Sequence, residues 1–150
     1  MSGRTRIKIC GLTVGEDVQL AVALGADAVG TVLWTGSPRG VSHDAAKTAF
    51  SDVPTFVTRV GVFVEPSLAE VRAAIDHVGL DAVQLHGRVA IEDFLPLGVR
   101  LIAATSPATD DDVRVVAEWP ARVLPLVDAH DPVKHGGTGR HADWKQARAL

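Results

Sequence analysis

Six short runs rich in β-branched and apolar residues alternate with segments of helical periodicity along the chain, and this alternation constrains the fold more than any single motif. The runs are Arg6 to Cys10, Ala28 to Leu33, Phe56 to Val64, Ala82 to Leu85, Arg100 to Ala104 and Arg122 to Val127. Between them, Val14 to Leu24, Ser42 to Phe50, Ser67 to Val78, Ile91 to Leu97 and Asp110 to Trp119 carry apolar residues at i, i+3 and i+4, and a sixth helical segment begins near Ala142. Ser67 ahead of Leu68-Ala69-Glu70 reads as a capping box, and Gly25 and Gly79 stand where helices should stop. Strand and helix in strict turn predict parallel strands joined by right-handed crossovers. The expected fold class is therefore α/β. A strand every roughly 20 to 30 residues suits a (β/α) barrel of TIM type as well as a doubly wound sheet. No Gly-x-Gly-x-x-Gly follows the first strand and no P-loop occurs, which removes the best support for a nucleotide fold. No linker or shift in composition divides the chain, so residues 1–150 read as one domain.

The 150 residues are 47% apolar and 22% charged, a balance that suits a globular domain able to bury roughly 70% of its unfolded surface. A net charge of -3 and few aromatic residues leave neither a basic field nor a stacking surface for nucleic acid, so none is expected as a partner. No apolar run reaches the ~18 residues that span a bilayer, and no secretory apolar segment follows Met1 to Lys8. One cysteine cannot close an internal disulfide, and a free thiol fits the cytoplasm. The six histidines are scattered without metal-ligand spacing, so no metal is expected.

Parallel α/β folds build their sites where strands end, and the polar residues of this chain collect there. Lys8-Ile9-Cys10-Gly11 puts the thiol at the end of the first strand; Lys8 and Cys10 share one face and Ile7 and Ile9 the other. An ammonium beside the thiol would favour thiolate, making Cys10 a candidate nucleophile or base, against the plainer reading of a small core residue. Arg39, in Ser37-Pro38-Arg39 after the second strand, offers a planar fork for a carboxylate or phosphate, or is simply a solvated arginine. In Val83-Gln84-Leu85-His86-Gly87, Gln84 and His86 share a face, where a structural hydrogen-bonding histidine is the alternative to a functional one. Asp128 closes the apolar sixth strand, as a site carboxylate or as a turn residue. Gly136-Gly137-Thr138-Gly139 lies in a long loop of the kind that forms lids or anion cradles, unless it is only a flexible connection.

Taken together and in order, Lys8-Ile9-Cys10-Gly11-Leu12-Thr13, Gly25-Ala26-Asp27-Ala28-Val29-Gly30, Ser37-Pro38-Arg39, Val60-Gly61-Val62-Phe63-Val64, Val83-Gln84-Leu85-His86-Gly87, Val127-Asp128 and Gly136-Gly137-Thr138-Gly139 with Asp143-Trp144 resemble the phosphoribosylanthranilate isomerase family, from residue 6 to residue 144. The resemblance implies a (β/α)8 barrel of tryptophan biosynthesis that performs an Amadori rearrangement on a phosphosugar without metal or organic cofactor. It implies Cys10 as general base, Asp128 as general acid and Arg39 as the holder of the anthranilate carboxylate. Gln84, His86 and Gly136 to Gly139 fall to substrate binding. Two departures accompany it. About six of eight strand–helix units are expected here, without the family's phosphate loops after strands seven and eight, which leaves exposed strand edges open to self-association. Thr31 follows Gly30 where the family more often has an aromatic residue, which implies a reshaped pocket for the substrate's ring. A related phosphosugar isomerase, or a catalytically inactive partial barrel serving as an interaction module, are the competing expectations.

Overall fold

The computed structural model describes residues 4–105 and 110–128, together with Arg148. The expected sixth helix from Ala142, the Gly136-Gly137-Thr138-Gly139 loop, Asp143 and Trp144 lie outside the described residues.

Six strands form one parallel sheet: β1 (Lys8–Cys10), β2 (Ala28–Val32), β3 (Thr58–Val64), β4 (Ala82–His86), β5 (Arg100–Thr105) and β6 (Val123–Val127). Helices α1 (Gly15–Ala23), α2 (His43–Ala49), α3 (Leu68–Ala74), α4 (Ile91–Phe94) and α5 (Asp110–Ala117) alternate with them. Each expected strand and helix within the described residues is present, most with ends shifted by a residue or two, while the expected helix from Ile91 to Leu97 is α-helical only to Phe94 and finishes as a 3-10 turn over Leu95–Leu97. Ser67 accepts from the backbone N–H of Glu70 while the Glu70 carboxylate accepts from the backbone N–H of Ser67, so the capping box is complete. The stretch after α3 departs from the expected continuous helix. Ile75–Gly79 is a π turn, closed by the Leu80 N–H donating to the Ile75 carbonyl at 3.4 Å and ended by Gly79 at φ 77°. Widening the last turn by a residue lets both Val78 and Leu80 bury against the core.

Strand order decides between the two architectures that periodicity left open. The order is β1-β2-β3-β4-β5-β6, without the reversal that a doubly wound sheet requires. The helices also cover a single face. One core cluster joins Val18, Ala21, Ala46, Ala49, Val71, Ala74, Ile91 and Phe94 of α1 to α4 with Val29, Phe63, Val83, Leu85, Leu101, Ala103 and Val123 of the strands. Those strand residues all belong to the helix-facing set of the two-residue repeat. The sheet curls about its other face as an open, six-stranded portion of a barrel, and that inner face carries the polar side chains.

Candidate functional site

Hydrogen-bond register identifies the residues that share the inner face. Lys8 pairs with Ala28 and Cys10 with Gly30, and the register runs on from Gly30 to Val60, Ala82 and Arg100. Counting in twos along each strand, the inner set includes Lys8, Cys10, Gly30, Val62, Gln84, His86, Leu126 and, one residue past the end of β6, Asp128. In a closed barrel strand tilt shifts the level by about one residue from each strand to the next. Followed from β1 to β6, that shift carries the level of Cys10 to within a residue of His86 and Asp128. Thiol, imidazole and carboxylate, far apart in sequence, therefore come to the C-terminal rim together.

Local sequence places each of them. Cys10 is exposed at the rim, which rules out the plain core-thiol alternative. Gly11 follows at φ 81°, a left-handed conformation that costs glycine little, and its N–H donates to the Gly30 carbonyl at 2.9 Å. A Cβ at Gly11 would collide with the Arg39 guanidinium, which lies over the turn and donates from Nη1 to the Cys10 carbonyl at 3.3 Å. The Arg39 backbone N–H donates to Ser37 Oγ at 3.2 Å, which shapes the approach of the loop. Arg39 is thus a neighbour of Cys10 although 29 residues separate them. Gly30 supplies space in the same way: a Cβ there would stand 3.2 Å from Cys10 Sγ and 3.3 Å from Lys8 Nζ. The expectation that Lys8 and Cys10 share a face holds, and both side chains crowd against Gly30.

Lys8 has a partner that the sequence reading did not anticipate. Its ammonium donates to Gln84 Oε1 across the inner face at 2.9 Å, and Gln84 Nε2 lies 2.5 Å from His86 Nε2. Gln84 and His86 are buried. Alternation could have found this chain, since all three residues fall on the inner set. Asp128 donates its backbone N–H to the Thr105 carbonyl at 2.9 Å, continuing the β5–β6 ladder and fixing where its side chain leaves the strand. Thr31 corrects an expectation: it is buried on the helix-facing side, opposite to Gly30 and Val32, so the change from an aromatic residue bears on helix packing and not on the inner pocket. Among the described residues no three His, Cys, Asp or Glu side chains gather as metal ligands.

Two carboxyls held below their usual range, Asp27 and Asp81, stand at the opposite, N-terminal end. Asp27 is lowered first by its bond from Arg4 and then by the Ile7 N–H; Asp81 is lowered first by the Arg59 side chain, which donates from Nε and Nη2 at 2.9 Å each. They tie strands together, leaving chemistry to the rim.

A sequential parallel sheet clothed in helices on one face, with acid–base side chains and an arginine at its C-terminal rim, defines a (β/α)-barrel protein with the polar rim of a small-molecule enzyme. The family model for N-(5'-phosphoribosyl)anthranilate isomerase matches residues 7–149, and the chain belongs to that family. The N-(5'-phosphoribosyl)anthranilate isomerase of Chromohalobacter salexigens is 42% identical over 147 residues, an alignment that takes in 97% of this chain and 69% of the relative. The crystal structure of phosphoribosyl anthranilate isomerase from Thermotoga maritima superposes with a TM-score of 0.84 at 34% identity, over 95% of this chain and 70% of that one. A second isomerase structure, with a TM-score of 0.77 and 35% identity over 85% of this chain and 66% of that one, holds reduced 1-(o-carboxyphenylamino)-1-deoxyribulose 5-phosphate.

Proposed function

We propose that this chain performs the isomerisation of its family: N-(5-phosphoribosyl)anthranilate to 1-(2-carboxyphenylamino)-1-deoxyribulose 5-phosphate, a step of tryptophan biosynthesis in the cytoplasm. The reading is supported by the strand register, which sets Cys10, His86 and Asp128 in the inner-face repeat at the C-terminal ends of β1, β4 and β6, and by the Arg39 guanidinium over the Cys10 turn. The reaction is an internal redistribution of protons and electrons, and an acid and a base suffice for it. Asp128 gives a proton to the ribose ring oxygen as the bond from that oxygen to C1 breaks, leaving a cationic imine between C1 and the anthranilate nitrogen. The imine acidifies the proton on C2, which the Cys10 sulfur removes to give the enolamine. Protonation at C1 and loss of the enol proton yield the ketone at C2. No electron leaves the substrate, so the chemistry calls for no cofactor.

Arg39 holds the anthranilate carboxylate in this reading, since its fork matches a planar carboxylate and its place beside Cys10 sets the aromatic end of the substrate next to the reacting carbons. Gln84 and His86 position the open-chain sugar, and Gly136, Gly137, Thr138 and Gly139 are assigned to substrate binding. The test is turnover by Cys10→Ala and Asp128→Asn variants with wild-type circular dichroism. Each should lose at least about 100-fold in kcat; a folded variant with near-normal turnover removes that residue from its role.

A further inference from the structure

The inner-face chain Lys8–Gln84–His86 fixes a protonation state. An ammonium is only a donor, so the Gln84 oxygen, 2.9 Å from Lys8 Nζ, is the acceptor and the amide cannot be turned over without setting NH2 against NH3+. With the amide in that orientation its NH2 group faces His86 Nε2 at 2.5 Å. Amide nitrogen donates and does not accept, so His86 Nε2 receives this bond and carries no proton. A cationic imidazole, or a neutral one protonated on Nε2, would place donor against donor in a buried pair.

We propose that Lys8 is a positioning residue which, through the Gln84 amide, holds His86 as the neutral imidazole protonated on Nδ1. The Nε2 lone pair is then taken up by Gln84 and the ring has none left with which to accept a substrate proton. His86 serves the rim as a donor through Nδ1–H, and the proton-accepting step stays with Cys10, at the end of β1 on the same inner face. This assignment deepens the isomerase reading and rests on it for its place in the reaction, but the tautomer itself is a property of the substrate-free chain.

Free histidine prefers the Nε2–H tautomer, so the proposed state has a distinct signature. The measurement is the long-range proton–nitrogen correlation spectrum of the 15N-labelled 150-residue chain at about pH 8, above the ordinary imidazole range. His86 is assigned by the resonances lost in His86→Asn. In the wild type Nδ1 should resonate as a protonated, pyrrole-type nitrogen and Nε2 as a pyridine-type one. Lys8→Arg, which keeps a cationic donor, should preserve the pattern. Lys8→Met frees the Gln84 oxygen, and the two nitrogens should move toward exchanged positions as the Nε2–H form grows in. A wild-type His86 protonated on Nε2 overturns the proposal even if no Lys8 variant folds, and so does a folded Lys8→Met with an unchanged pattern. Either result leaves the isomerase assignment to the turnover of the Cys10 and Asp128 variants.

Discussion

Gly11 shows how much of the site depends on what a residue lacks. Its φ of 81° and the guanidinium lying over it mean that a methyl group there meets two penalties, a left-handed backbone and a clash with Arg39. Gly11→Ala should therefore act on binding through Arg39. Calorimetry with the reduced, carboxylate-bearing product analogue should show affinity weakened about tenfold or more, the equivalent of ~1.4 kcal/mol, and inorganic phosphate should bind as it does to the wild type. Equal weakening of both ligands would show that Arg39 does not discriminate the carboxylate. Cys10, Arg39, His86 and Asp128 were legible in the sequence because strand ends and two-residue alternation are local properties. The Lys8–Gln84 bond spans 76 residues and depends on the curl of the sheet, so the strand reading paired Lys8 only with Cys10. Thr31 was misplaced for a related reason: a motif comparison shows that a residue has changed without showing which side of the strand it occupies.

The elements repeat a device in pairs. Asp27, before β2, accepts the Ile7 N–H at 2.8 Å and pairs with Arg4; Asp81, before β4, accepts the Arg59 N–H at 2.9 Å and pairs with the Arg59 side chain. The backbone answers in both places, Asp27 N–H donating to the Ile7 carbonyl and Asp81 N–H to the Arg59 carbonyl. Each aspartate thus fastens the start of an even strand to that of the odd strand before it. The parallel between Gly25-Ala26-Asp27-Ala28 and Gly79-Leu80-Asp81-Ala82 is visible in the sequence, but its purpose depends on strand pairing. Asp81 has its carboxyl lowered from 3.8, chiefly by Arg59. A lowered folded-state value means that ionised Asp81 stabilises the fold above the unfolded value, and that this contribution fades as pH falls through the folded one. Asp81→Asn should cost about 1 kcal/mol at pH 7, a modest figure because the pair is partly exposed. The difference from wild type in urea melts should shrink as pH drops below 3.8, toward and through the lowered folded-state value. A difference that persists unchanged in acid would show that the Arg59 pairing is not its source.

At the scale of the whole molecule, one face of the sheet is finished and the other is open. The helix-facing side is a closed apolar layer, yet β1 pairs only with β2 and β6 only with β5 among the described residues. Ile7, just before β1, and Ile9 on β1 are 50% and 40% exposed, and Leu124 on β6 is 62% exposed. The strand pattern predicted these segments correctly but could not show that their apolar side chains stay uncovered, because that depends on how far the sheet closes. Unpaired parallel edges flanked by apolar side chains invite another strand, and a second copy of the same chain offers both edges at once. The purified 150-residue chain should therefore self-associate, with a sedimentation mass above that of the 15.8 kDa monomer and a concentration-dependent thermal midpoint. Ile9→Lys with Leu124→Lys should shift it toward monomer by placing charge at both edges, at side chains that are 40% and 62% exposed. If association also covers the rim, turnover per chain should fall as concentration rises. A wild-type chain that sediments as a monomer at every concentration, with turnover to match, would show that the edges are protected and would remove the partial-barrel interaction module as a competing function.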